Sequence, residues 1–125
     1  MVDFEKINPG IPVAGPYSPG VKTADSIFIS GQGSAQEDED IKEQTLVALN
    51  KIKQIVEVGG GKVSNIVNTT VYLKDISDFS EMNAVYKSFF EENGVTESYP
   101  SRATVEVSNL PLPNMLVEIS AIAVL

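Results

Sequence analysis

The chain has 125 residues, of which 42% are hydrophobic, which suits a single domain with a sizeable core. It contains no cysteine, which excludes disulfides and thiolate chemistry, and no histidine, which removes the commonest general base and metal ligand. Nine basic and seventeen acidic residues give a formal net charge of −8, which opposes nucleic-acid binding because phosphate contacts dominate that affinity.

Three short strands are predicted first. They are Asp3–Ile7, Tyr17–Thr23 and Ser26–Gly31, and a tight hairpin turn joins the last two. A helix is predicted over Asp40–Val58, because small and apolar residues recur there at intervals of three and four. An acidic run at 37–40 suits the start of this helix, and three glycines at 59–61 end it.

In the second half of the chain, one strand, one helix and two further strands are predicted. A strand over Asn65–Lys74 precedes a helix over Asp78–Asn93, and two strands follow at Arg102–Ser108 and Met115–Leu125. The order β-β-β-α-β-α-β-β predicts an α+β domain over residues 1–125, with a sheet and two helices on one face. The second helix is expected to bury Phe79, Met82, Val85, Tyr86, Phe89 and Phe90.

Alternation along the later strands separates two faces of the sheet. One face is expected beneath the helices and carries Val67, Thr69, Val71, Leu73, Ala103, Val105, Val107, Val117, Ile119, Ala121 and Ala123. The other mixes apolar and polar side chains and includes Arg102, Thr104 and Glu118. Because two helices cover one face, a partner subunit is expected on the other, with polar clefts at the subunit boundary.

Arg102 is the only arginine, whereas the other eight basic residues are lysines. A guanidinium suits bidentate binding of a carboxylate or phosphate, but a structural ion pair with Glu106 or Glu118 fits the pattern equally well. Glu118 is the only ionised residue of the last strand. It is either an outward-facing side chain or, if partly buried, a general base with a raised pKa.

Other polar residues lie in turns or within a helix. Ser30 and Gly31 end a strand in a glycine-rich turn that lacks the spacing and lysine of a phosphate loop. Tyr17 lies in a proline-glycine loop and is either part of a structural turn or a pocket wall, and Asn83 is a polar residue inside the second helix. Without histidine or cysteine no nucleophilic triad can form, so the remaining groups suit addition of water to a reactive electrophile.

Six segments, in order, resemble the reactive intermediate deaminase family, also called Rid or YjgF. They are Gly15–Ser18, Ser30–Gln32, Thr69–Asp75, Asn83–Phe90, Pro100–Val107 and Val117–Ala123. The resemblance implies a chorismate-mutase-like fold and a homotrimer whose sheets form a central barrel, with sites between subunits. It also implies cofactor-independent hydrolysis of 2-imino acids, such as 2-iminobutanoate, 2-iminopropanoate and the tautomer of 2-aminoacrylate, to 2-keto acids and ammonia.

The resemblance assigns catalytic roles to two residues. Arg102 matches the arginine that binds the substrate carboxylate, and Glu118 the glutamate that orients the attacking water. The substrate pocket is expected to contain Tyr17 (from the neighbouring subunit), Ser30, Gly31, Asn83, Arg102 and Thr104. Thr104 replaces a cysteine found in many members, and the loop over Gly33–Asp40 is shorter than in many relatives.

Two other functions stay open. A non-catalytic metabolite-binding or regulatory trimer would use the same cleft for a keto acid. Ribonuclease activity, reported for some relatives, is opposed by the charge of −8 and by the missing histidine. No metal site is expected, and the absence of a long apolar stretch or a signal-peptide pattern predicts a cytoplasmic location without a membrane segment.

Overall fold

The computed structural model describes residues 2–125 and has two layers, a six-stranded sheet and two α-helices on one face of it. The predicted α+β class and element order are confirmed. Neither helix within residues 2–125 combines the length and apolar composition needed to cross a bilayer. The elements are β1 (Glu5–Ile7), β2 (Gly20–Thr23), β3 (Ser26–Gly33), α1 (Ile41–Val58), β4 (Ile66–Leu73), α2 (Phe79–Glu92), β5 (Ser101–Glu106) and β6 (Val117–Val124).

The strands lie in the order β1-β2-β3-β6-β4-β5. Neighbouring strands are antiparallel except β4 and β5, which are parallel and are connected through α2. The predicted hairpin turn between β2 and β3 is confirmed, since Thr23 pairs with Ser26 and Ala24 adopts a φ of 51°. β5 forms one edge of the sheet.

The helix α1 begins and ends at the predicted residues. Asp40 caps it by accepting the Glu43 backbone N–H at 2.8 Å. At its C-terminal end Gly60 adopts a φ of 96°, which favours glycine, and the Gly61 N–H donates to the Val56 carbonyl at 2.9 Å. Its buried side chains recur at the predicted spacing and are Ile41, Gln44, Thr45, Ala48, Leu49, Ile52, Ile55 and Val56.

The core lies between the helices and the inner face of the sheet. The buried side chains of α2 are Met82, Tyr86, Phe89 and Phe90. The prediction that Phe79 and Val85 are also buried is wrong, because Phe79 is 38% exposed and Val85 is partly exposed. Phe79 is the first residue of α2, and its ring reaches the side chain of Arg102 at the sheet edge.

The helix-covered face of β4 carries Thr69, Val71 and Leu73, as predicted. The prediction that Val67 lies on this face is wrong, since it is 47% exposed and Ile66 is buried instead. The pairing of β4 with β6 shifts register between residues 66 and 68, which breaks the alternation. On β6 the predicted inward residues are confirmed as Val117, Ile119, Ala121 and Ala123.

The strand β5 presents the opposite face from the one predicted. Its pairing aligns Arg102 with Thr69 and Thr104 with Val71, and laterally aligned residues point to the same side of a sheet. Arg102 and Thr104 therefore face the helix layer, whereas Val105 faces away and is 43% exposed. The placement of Ala103 and Val105 beneath the helices is wrong, because alternation shows which residues share a face but not which face is covered.

The second face of the sheet has no other element of residues 2–125 packed over it. Phe28 is 47% exposed there, beside its partly exposed pairing partner Ile122. Polar side chains interrupt this apolar surface, and Ser30, Thr70 and Ser120 line the same concavity as Phe28. The predicted mixture of apolar and polar side chains on this face is confirmed, but Arg102 and Thr104, which were predicted to belong to it, lie on the opposite face.

Candidate functional site

The Arg102 side chain extends from β5 along the edge of the helix layer. Its guanidinium carbon lies 4.6 Å from the ring centroid of Tyr86 and 5.6 Å from that of Phe79. Within residues 2–125 the only ion pair joins Lys87 to Glu91, so no carboxylate neutralises Arg102. The alternative of a structural ion pair is wrong, since Glu106 instead accepts the Ile76 backbone N–H at 2.9 Å.

A cleft of about 280 Å³ opens beside this guanidinium. Asn83 lines the cleft from α2, and Arg102 is the other predicted site residue that lines it. The loop that enters β5 contributes Tyr99 and Pro100, as expected for a rigid segment in front of a ligand group. The cleft is lined by Asn83, Tyr86, Lys87, Tyr99, Pro100 and Arg102.

Thr104 lies two residues after Arg102 on the same face of β5, and its side chain is partly buried. Because β5 is an edge strand, one side of its backbone has no neighbouring strand within the described chain. Backbone N–H groups on that side are free to bind a ligand next to the guanidinium. Arg102, Thr104 and Asn83 thus form one group of the predicted site residues, which we call the arginine half-site.

Glu118 lies on the other face of the sheet. It pairs with Tyr72 of β4, which alternates with the buried Val71 and Leu73. The prediction that Glu118 shares a face with Arg102 and Thr104 is therefore wrong. The error follows from β5, whose polar residues turn toward the helices rather than away from them.

Glu118, Gly31 and Tyr17 line a second cleft of about 220 Å³. A Cβ atom added to Gly31 would lie 2.6 Å from the Glu118 Cδ atom, so a larger residue here would displace this carboxyl group. Burial raises the pKa of the Glu118 carboxyl above its ordinary value. Tyr17 is 49% exposed, and its hydroxyl oxygen accepts the Ala14 N–H at 3.4 Å.

Ser30 connects this cleft to the uncovered sheet face. Its hydroxyl donates to the Ser18 carbonyl at 2.7 Å, and its N–H donates to the Pro19 carbonyl at 2.9 Å. These two bonds fix the loop that presents Tyr17 against the end of β3. Glu118, Gly31, Tyr17 and Ser30 form a second group, which we call the glutamate half-site.

Two residues that contact Arg102 of the arginine half-site were predicted from the sequence pattern only as core residues. Tyr86 is 5% exposed, and its hydroxyl lies 2.8 Å from the hydroxyl of the fully buried Thr69. Phe79 forms part of the wall around Arg102. The sequence contains one signal for Tyr86. It is a tyrosine in an otherwise apolar helical stripe, three residues after Asn83, and a buried tyrosine hydroxyl needs a polar partner.

The two half-sites supply complementary chemistry. In the part of the chain that the structure describes, the positive charge of the arginine half-site has no acidic partner, so the half-site suits an organic anion such as a carboxylate. The glutamate half-site holds a partly buried carboxyl group that can accept a proton near neutral pH more readily than an exposed one. The half-sites lie on opposite faces of one sheet and line two different clefts of the chain.

Comparisons with known proteins agree on one family. A family model described as Endoribonuclease L-PSP matches residues 9–125. A RutC family protein of Pyrococcus abyssi is 43% identical over 115 residues, which covers 87% of this chain and 86% of the relative. The 2-iminobutanoate/2-iminopropanoate deaminase of Escherichia coli K12 is 42% identical over 115 residues, and 88% of each chain is covered.

Solved structures show the same fold. The E. coli TdcF protein, crystallised with bound serine, superposes with a TM-score of 0.90 at 35% identity, covering 97% of this chain and 98% of its own. The YjgF gene product of E. coli gives a TM-score of 0.83 at 41% identity, with 90% of each chain covered. The fold class predicted from the resemblance is confirmed, and the chain belongs to the YjgF/Rid family.

Proposed function

We propose that this protein hydrolyses 2-imino acids and their enamine tautomers, 2-aminoacrylate among them, to 2-keto acids and ammonia. The observation that carries the proposal is the Arg102 guanidinium, which faces a cleft without any acidic partner in residues 2–125. The relative from E. coli that bears the name of an imine deaminase supports this reaction. The homologues also include proteins named for the RutC family, so the activity of this chain requires a direct test.

We further propose that the site is completed by a neighbouring subunit in a homotrimer. The separation of the two half-sites on opposite sheet faces supports this arrangement, as do the exposed apolar side chains of Phe28 and Val105. The glutamate half-site of one subunit then faces the arginine half-site of the next. A heterologous contact of this kind closes into a ring and repeats the same cleft at every boundary.

The proposed reaction needs positioning and one proton acceptor. Arg102 binds the carboxylate of the imino acid and fixes the C=N carbon beside Glu118. The Glu118 carboxylate accepts a proton from water as the water oxygen bonds to that carbon and the C=N electrons move to nitrogen. The nitrogen then takes up the proton held by Glu118 and a second proton, which the new hydroxyl group gives up. The C–N bond breaks, ammonia leaves, and the hydroxyl oxygen becomes the keto oxygen while Glu118 returns to its ionised form.

The test couples this protein to a pyridoxal-phosphate-dependent dehydratase that releases 2-aminoacrylate, with ammonia and pyruvate formation followed over time. Wild-type protein should accelerate both above the uncatalysed background. Arg102→Ala should lower this acceleration by at least roughly 100-fold, because the substrate loses its charge partner and its orientation. Arg102→Lys is the matched control, since it keeps the charge but removes the bidentate fork.

Two outcomes would argue against deaminase activity. An unchanged rate with wild-type protein, together with stabilisation by a keto acid, would indicate a non-catalytic binding trimer. Cleavage of RNA by the pure protein, lost in Arg102→Ala, would favour the activity after which the family model is named.

A further inference from the structure

Resting on the proposed function, we infer that Tyr86 and Phe79 are positioning residues that hold the Arg102 guanidinium in one orientation, and that Thr69 fixes Tyr86 for this role. Neither aromatic ring touches the proposed reacting atoms. Both act on the carboxylate through the side chain of Arg102.

The first observation is the alignment of two neighbouring strands. Thr69 of β4 and Arg102 of β5 are paired residues of the parallel ladder, so both side chains rise from the same face toward α2. The Thr69 hydroxyl lies 2.8 Å from the Tyr86 hydroxyl, and both groups are buried. One hydrogen bond therefore fixes the Tyr86 ring directly beside the base of the arginine.

The second observation is the pair of rings around the guanidinium. Its central carbon lies 4.6 Å from the Tyr86 ring centroid and 5.6 Å from the Phe79 centroid, both within the range of a cation–π interaction. Tyr86 is held from within the core by Phe90, at 4.8 Å between ring centroids. The guanidinium therefore packs against the Tyr86 ring, whose position is fixed by Thr69 and Phe90.

These contacts restrict the conformations of the Arg102 side chain and leave its N–H donors available. A free arginine side chain samples many rotamers and loses that freedom when it binds a ligand, which weakens binding. Aromatic rings contact the guanidinium without using its N–H groups in hydrogen bonds, so those donors remain available to a carboxylate. No carboxylate within residues 2–125 competes for them.

A purely structural role for the rings predicts something different. Tyr86 is part of the core, but Phe79 is 38% exposed, so its contact with Arg102 contributes little to the core. If the rings only stabilise the fold, their replacement should lower stability and leave ligand affinity unchanged. If they position Arg102, affinity should fall even where stability does not.

The experiment measures the dissociation constant of 2-oxobutanoate by calorimetry, together with kcat, KM and thermal stability. The dissociation constant should rise roughly two- to fivefold in Phe79→Leu and about tenfold or more in Tyr86→Leu, since a desolvated cation–π contact is stronger than an exposed one. Tyr86→Phe keeps the ring but loses the hydrogen bond to Thr69, so it should restore only part of the affinity lost in Tyr86→Leu. KM should rise more than kcat falls.

The matched control is Phe89→Leu, which removes a buried ring of the same helix that packs against Phe90. It should lower stability without raising the dissociation constant. The inference is overturned if Phe79→Leu and Tyr86→Leu weaken binding no more than Phe89→Leu does. Keto-acid binding is measured without turnover, so an inactive wild-type protein that shows these affinity changes would refute the proposed reaction and support the positioning role.

Discussion

Arg102 and Glu118 lie on opposite faces of one sheet, and β4 separates their strands. Arg102 is aligned with Thr69 beneath α2, whereas Glu118 is aligned with Tyr72 on the face that carries no helix. These two residues carry the proposed chemistry, so their separation determines how the protein has to work. The proposed reaction therefore requires Arg102 of one chain and Glu118 of another.

The separation predicts complementation between two inactive variants. Arg102→Ala and Glu118→Gln should each be inactive alone, but chains unfolded together and refolded as mixed trimers should regain activity. A random mixture in equal amounts contains one intact cleft in each mixed ring, so about one quarter of the wild-type activity is expected. Activity is measured in the dehydratase-coupled assay after refolding.

The control for this prediction is each variant refolded alone in the same way. A mixture that remains as inactive as its components would place Arg102 and Glu118 in the same cleft of one subunit, or outside the site altogether.

The uncovered sheet face should be required for assembly. Val105→Glu introduces a charge where an apolar side chain is 43% exposed, and burial of an unpaired carboxylate against a neighbouring subunit is strongly unfavourable. We expect a monomer with a folded circular-dichroism spectrum and no deaminase activity. Molar mass is measured by multi-angle light scattering.

Val58→Glu provides a matched control, because Val58 is 59% exposed at the end of α1, away from this face. It should leave the molar mass unchanged. A trimeric and active Val105→Glu protein would remove the uncovered face from the interface.

Activity should fall as the pH is lowered through the pKa of Glu118. Burial raises this pKa, so protonation removes the proposed base at a higher pH than for an exposed glutamate. The pH profile of kcat/KM should therefore show an acidic limb above the ordinary glutamate pKa of about 4.5. Glu118→Gln should lower kcat by roughly 100-fold or more and abolish this limb.

The pH dependence of protein stability provides an independent test of the raised pKa of Glu118. A carboxyl group whose pKa is raised by folding binds more protons in the folded state, so its effect on stability becomes less favourable as the pH rises through that window. Glu118→Gln should therefore be at least as stable as the wild type at neutral pH, as measured by urea unfolding. A less stable variant would indicate that the ionised carboxylate is stabilised by the fold.

Gly31→Ala should act through Glu118. The added methyl group would meet the glutamate side chain, with 2.6 Å between Cβ and the Glu118 Cδ atom, so the carboxyl group must move. We expect activity to fall by about 100-fold, as for loss of the base, with only a small change in melting temperature. Coupled activity and thermal unfolding are the measurements.

The double variant Gly31→Ala with Glu118→Gln is the control. If Gly31 acts only through Glu118, the double variant is no less active than Glu118→Gln alone, because effects on one group are not additive. A further loss would show that Gly31 contacts the substrate directly.

Local sequence patterns are sufficient to predict the helices, the strands and the buried residues of α1. The spacing of apolar residues, the cap at Asp40 and the glycine at position 60 each determine a local conformation. The orientation of β5 was predicted wrongly, because a polar residue such as Arg102 is expected to face away from a helix layer. At the edge of the sheet, however, a long side chain such as that of Arg102 can pack against the aromatic rings of the helix layer and still reach solvent.

The candidate site was likewise predicted only in part from the sequence. Arg102, Glu118 and Asn83 are visible as isolated polar residues in otherwise apolar elements, and the structure places them around two clefts. The roles of Tyr86 and Phe79 depend on the register between β4 and β5, which aligns residues 33 positions apart, so no local pattern predicts their contact with Arg102. Only the packed structure brings them to the guanidinium.

The hydrogen bond between Thr69 and Tyr86 joins β4 to α2 inside one chain, so the geometry proposed to bind a carboxylate is in place once that chain has folded. The proposed catalysis, in contrast, requires at least two chains to associate. Dilution should therefore lower the turnover per chain while each dissociated chain still captures the anion, and the concentration of the protein itself becomes a control on the reaction.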